Sequence, residues 1–91
     1  MSFPFEEKIL NNKKIRTFSP LLDEDELEWH VDEFDRNVLV IEDGGWGFQM
    51  NNELPIQLKK GDKLFIPKQH WHRAIKGNDN LIIEIEEIIE D

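Results

Sequence analysis

Turn signals cut this chain into pieces too short for anything but strands. Asn11-Asn12, Ser19-Pro20, Asp43-Gly44-Gly45, Asn51-Asn52, Lys60-Gly61-Asp62 and Gly77-Asn78-Asp79-Asn80 punctuate it. Gly, Asn, Asp and Pro each favour backbone angles that turns need and ladders do not. Between the turns lie short apolar or alternating runs: Lys14 to Phe18, Leu27 to Asp32, Val38 to Ile41, Trp46 to Met50, Leu54 to Leu58, Leu64 to Ile66, His72 to Ile75 and Leu81 to Ile89. Roughly seven or eight strands so closely spaced predict an all-β sandwich or barrel. Pro55 cannot donate to a ladder, so Leu54 to Leu58 is expected at a sheet edge. One segment reads differently. Phe5 to Asn12 fits a turn or two of helix, stopped by Asn11-Asn12.

The 91 residues suit a single domain. Residues 1–25 read as an N-terminal extension carrying the first strand, 26–86 as the barrel core and 87–91 as an acidic tail left in solvent. Asp23 to Glu26 reads as an acidic turn. With 11 Lys+Arg against 20 Asp+Glu, the net charge is −9. That excess argues against nucleic acid, whose binding rests on cationic neutralisation of phosphate, and against an anionic membrane surface. There is no cysteine, which excludes disulfides, iron–sulfur clusters and thiol nucleophiles. Apolar runs are far shorter than the roughly 20 residues a spanning helix needs. No basic region followed by an apolar stretch opens the chain, so a cytoplasmic protein is expected.

One stretch carries chemistry as well as shape: Gly61-Asp62-Lys63-Leu64-Phe65-Ile66-Pro67-Lys68-Gln69-His70-Trp71-His72. Gly61, Pro67 and His72 stand in the register of the second sequence motif of the cupin superfamily, and the chain resembles that family over about residues 26 to 86. Gln69 replaces a family glycine and Lys76 a family asparagine. The first cupin motif is matched more loosely, from His30 to Gly44. His30 falls at its first histidine, Asp32 at its second, and Asn37, counted back from Gly44, at its glutamate. The resemblance implies a small double-stranded β-helix, or jelly-roll barrel. It also implies a divalent metal (iron, zinc, manganese or nickel) held by His30, Asp32, Asn37 and His72, with a small-molecule ligand in the barrel mouth.

The residues support a site in their own right. Side chains two apart on a strand share a face, so His30 and Asp32 point the same way. A strand bringing His72 alongside completes a two-histidine, one-carboxylate set, which suits iron(II) and leaves coordination positions open. Glu33 or Asp35 are substitutes for Asn37 if the loop differs by a residue or two. Phe48, Met50, His70 and Lys76 are further candidates to line a pocket, and Lys76 to hold a substrate carboxylate. If the polar face looks inward, Leu27, Trp29 and Val31 need cover from the N-terminal segment or a second subunit. Val38 and Val40 repeat that two-sided apolar pattern, and a homodimer paired through Trp29, Val38 and Val40 is expected. The alternative is a metal-free barrel of the same kind, acting as a non-catalytic ligand-binding or dimeric interaction protein.

Overall fold

The computed structural model describes residues 5–23 and 27–89. Eight strands make up these residues: β1 (Glu6–Leu10), β2 (Lys13–Phe18), β3 (Asp35–Glu42), β4 (Gly47–Met50), β5 (Ile56–Gln57), β6 (Lys63–Ile66), β7 (His72–Ile75) and β8 (Leu81–Ile88). They form two antiparallel sheets, a five-stranded one in the order β1-β2-β8-β3-β6 and a three-stranded one in the order β5-β4-β7. No helix among the described residues is long and apolar enough to cross a membrane.

The core lies between the sheets because strand alternation puts one apolar row of each strand inside. Val38 and Val40 of β3 are buried, and each stands opposite an apolar β8 residue, Ile85 and Ile83. Ile66, Leu81, Trp46, Phe48 and Leu58 complete the cluster. Each such side chain withdrawn from water stabilises the fold by about 1.5–3 kcal/mol. The burial of Val38 and Val40 removes these two residues from the expected pairing surface, since their side chains face the core.

β3 carries one irregularity. Val40 stands opposite Ile83 and Glu42 opposite Ile82, so two steps on β3 match one on β8. Ile41 is the extra residue of this bulge. It reverses which parity of side chain faces inward on either side of it.

Three expectations change. Phe5 to Asn12 is not helical: β1 pairs with β2 from Glu6↔Thr17 to Leu10↔Lys13, and Asn11-Asn12 is the hairpin turn, with Asn11 at φ 57°. All five β1 residues are exposed, so burial did not decide the matter. The free edge of β2 did, and so short a run does not signal this in sequence. Both strands of the supposed extension therefore belong to the larger sheet. Leu27 to Asp32 is no strand either; within it only His30 forms a bridge. Nor is the acidic tail wholly solvated, because Glu87 lies in β8 and pairs with Lys14 and Arg36. Residues 24–26 of the acidic turn and residues 90–91 fall outside the described residues.

Candidate metal centre

The site begins with a main-chain pairing. His30 N donates to His72 O and His72 N to His30 O, each at 3.0 Å. This doubly bonded antiparallel pair sets the two residues directly opposite each other, with their rings 4.3 Å apart. Gln69 N donates to Asp32 O at 2.9 Å, which holds the next turn of the 27–32 segment against the approach to β7. Gln69 itself has φ 58°, in the left-handed region. That explains why the resembled motif carries glycine there: only glycine adopts such an angle without strain.

The histidine tautomers follow from their partners. A carbonyl oxygen only accepts, so His72 Nδ1 donates to His70 O at 2.8 Å and His30 Nδ1 donates to Glu28 O at 3.1 Å. In the neutral ring each Nε2 is then a bare lone pair. Both lone pairs point at one carboxylate: His72 Nε2 is 3.1 Å from Asp32 Oδ2, and His30 Nε2 is 3.9 Å from Asp32 Oδ1. One donor atom from each residue lies within 4.8 Å of the other two. That spread admits an ion with bonds of about 2.0–2.4 Å. Asp32 Oδ2 is buried and lacks a well-formed hydrogen bond. Two imidazoles fixed from behind by main-chain carbonyls, together with an unsatisfied carboxylate oxygen, are what a divalent cation requires. The residues fit the metal.

His72 is buried, at 4% side-chain exposure, whereas His30 is 54% exposed. The cluster therefore opens to solvent on the His30 side. Burial alone would raise the Asp32 pKa. The adjoining His72, the Arg36 guanidinium and His30 outweigh it and hold the carboxyl below its ordinary value.

Arg36 is the residue that sequence reasoning missed. Its Nη1 is 3.2 Å from Asp32 Oδ2, and its Nη2 is 3.6 Å from Glu87 Oε2. Asn37, expected as a ligand, does not join the cluster. It is exposed on the opposite face of β3, where Nδ2 reaches Glu86 Oε1 at 3.5 Å. The bulge at Ile41 is the cause. Counting back from Gly44 crosses it, and the extra residue turns Asn37 out and Arg36 in. The signal available was that Arg36 shares its parity with Val38 and Val40. Arg16 was missed in the same way; it shares a face of β2 with Phe18, which packs on the core.

The other candidates scatter. Phe48 lies over the site, its ring 5.7 Å from His72, and lines an internal cavity. Met50 borders a separate depression with Leu54, Ile56 and Phe65. His70 contributes its carbonyl to His72, while its own Nε2 is buried without a partner. Lys76 follows the far end of β7, about 13 Å along the strand from His72, so it does not reach the mouth. Asp35 accepts from Lys68 N at 2.7 Å, and Glu33 is exposed. Arg73 lies over Trp29, its guanidinium carbon 5.0 Å from the ring, yet Trp29 stays 38% exposed; Leu27 packs on the core.

The cavity behind His72 has a volume of about 80 Å³ and is walled chiefly by Val38, Val40, Phe48, Leu64, Ile83 and Ile85. A wider mouth of about 450 Å³ lies outside it, bordered by Leu27, Trp29, His30 and Asp32. Arg16, Phe18, His30, Arg36 and Ala74 border both spaces.

In sequence, no family profile and no curated protein matches the chain. Solved structures do match it in shape. KdgF from Halomonas sp. superposes with a TM-score of 0.73 at 20% identity, covering 97% of this chain and 83% of that one. An RmlC-like cupin family protein with a double-stranded β-helix fold, from Methanocaldococcus jannaschii, gives 0.69 at 12% identity, covering 91% and 77%. HppE in its iron(II) form, in complex with substrate, gives 0.67 at 14% identity, covering 97% of this chain and 55% of that one. The architecture is a cupin-like double-stranded β-helix.

Proposed function

We propose that this cupin-fold barrel holds a divalent transition-metal ion between His30 Nε2, Asp32 and His72 Nε2, and takes a small molecule at the mouth beside it. The observation that carries this reading is the convergence of two imidazole lone pairs on an incompletely bonded carboxylate. Without a proton or a cation among them, these groups repel. Both rings are already committed to the required tautomer by Glu28 O and His70 O, so no reorganisation precedes binding.

A bound ion supplies Lewis acidity and a fixed anchor for a ligand oxygen. The chain's own residues do the rest. Exposed His30 leaves a path from solvent. Phe48 and the valines of β3 keep the inner side dry, which strengthens every polar contact there. Arg36 places a fixed positive charge beside Asp32.

That same guanidinium favours a second reading. A cation already stands 3.2 Å from the carboxylate, so a metal-free barrel satisfies the same geometry and binds ligand without catalysis. Metal uptake separates the two. Untagged protein stripped by chelator and titrated with zinc, manganese, iron(II) and nickel is expected to take up one ion per chain. His72→Ala is expected to weaken that uptake by roughly 100-fold or more. Failure to bind any of the four, with an unfolding midpoint indifferent to chelator, overturns the metal reading.

A further inference from the structure

The charges around the mouth nearly balance without a metal. Arg16 Nε meets Glu7 Oε1 at 2.7 Å, Arg36 meets Asp32, and Glu87 meets Lys14. Glu28 also borders the mouth, so three cations face four carboxylates, and the histidines add nothing when neutral. A divalent ion then leaves one positive charge uncompensated beside an apolar cavity, where it is poorly screened. An anionic occupant of the mouth neutralises it.

The structure also provides a donor for that charge. Arg36 Nε is buried and has no hydrogen-bond partner, while Nη1 and Nη2 face Asp32 and Glu87, so one charged N–H donor is left for a ligand oxygen. Arg36 borders both the mouth and the inner cavity, as does Arg16. The cavity restricts the tail attached to the charged head. Its 80 Å³ is about half of the ~150 Å³ that admits a benzene ring. The space suits a short branched tail better than a ring.

Resting on the metal reading above, we propose that the ligand is a short-chain aliphatic carboxylate. Its head lies between the metal and Arg36, with Arg16 alongside, and its tail enters the cavity against Val38, Val40 and Phe48. This assigns Arg36 and Arg16 as the residues that select the ligand's charge, and the cavity walls as the selector of its length and shape.

Isobutyrate, isobutyramide and phenylacetate, titrated calorimetrically into the zinc-loaded full chain, test the idea. Isobutyrate is expected to bind at least about tenfold more tightly than its neutral amide, and phenylacetate more weakly than isobutyrate. Arg36→Gln is expected to lose about tenfold in isobutyrate affinity with zinc stoichiometry unchanged. Equal binding of amide and acid, tighter binding of phenylacetate, or an undiminished Arg36→Gln overturns the proposal and leaves the metal reading standing. Should Arg36→Gln fail to fold, the acid–amide comparison on the unaltered chain decides alone. Should the chain take no metal, the same pair is titrated into the metal-free protein. A persisting preference for the acid upholds the arginine assignment, and its absence overturns it.

Discussion

The two ends of β3 treat an aspartate in opposite ways. Asp43, just past the strand, has both carboxylate oxygens bonded to main chain: Oδ1 accepts from Gly45 N and Oδ2 from Lys60 N, each at 2.9 Å. Asp32, three residues before the strand, is half-buried beside two imidazoles and a guanidinium, and its buried Oδ2 lacks a good hydrogen bond. Around Asp43 the backbone is packed to contact. A Cβ on Gly44 would fall 2.4 Å from Asn80 O, one on Gly77 would fall 2.4 Å from Gly44 O, and Trp46 Nε1 donates to Asp79 O at 2.6 Å. Asp32 instead borders the open mouth. One end of the strand fixes the fold, and the other leaves bonding capacity for a guest.

Substitutions at the two ends put that contrast at risk. Gly77→Ala is expected to do the most damage, roughly 3 kcal/mol or more, because its Cβ meets main chain that cannot retreat. Urea unfolding followed by circular dichroism reads it, and a near-native midpoint would show that the closed end has slack. Trp46→Phe comes next. It opens a void at a fully buried position and orphans Asp79 O, at a cost of about 2–3 kcal/mol by the same assay.

Asp43 tests the contrast through pH. Hydrogen bonds from the Gly45 and Lys60 amides hold its carboxyl below its ordinary value. A carboxyl whose folded pKa is depressed adds stability that is complete above its unfolded pKa, about 3.9, and is lost as pH falls through the lower folded value. Asp43→Asn should therefore lower the urea midpoint at neutral pH and narrow its difference from the unaltered chain in acid. A constant difference at every pH would place the Asp43 contribution in shape alone.

Asp32→Asn should behave differently. Stability of the metal-free protein is expected to fall by about 1–2 kcal/mol, since Arg36 loses the carboxylate but keeps Glu87 as a second partner. Metal-induced stabilisation, read as a thermal shift with zinc, should vanish. A large loss in the metal-free protein would make Asp32 a structural residue like Asp43. Gln69→Gly is the smallest expected effect, a gain within about 1 kcal/mol. Relief of the left-handed backbone slightly exceeds the added freedom of the unfolded chain. An unchanged or lower urea midpoint would mean that the Gln69 side chain, 3.4 Å from Asp32 O, steadies the site more than its backbone strains it.

Much of this was legible beforehand because turns announce themselves locally. Asp43-Gly44-Gly45 and Lys60-Gly61-Asp62 lie where their composition placed them, and β3, β4, β6, β7 and β8 lie between such turns. His30, Asp32 and His72 were legible as well, two by spacing along one segment and the third by its place after Pro67. The remainder depended on pairing between distant segments. β1 became a strand because β2 offered an edge, which Glu6 to Leu10 does not encode by itself. Leu27 to Asp32 alternates like a strand, yet its main chain meets a partner only at His30 and Asp32. Arg36 and Asn37 exchanged roles across an irregularity that leaves no mark in composition.

The bulge at Ile41 has a wider consequence. One unmatched peptide unit, several residues from the cluster, decides whether a neutral amide or a permanent cation looks into the barrel. The electric field that greets an incoming molecule is thereby set by a hydrogen-bonding irregularity in the wall. Ligand preference in such a barrel can be rewritten by a single insertion or deletion that touches no residue of the cavity.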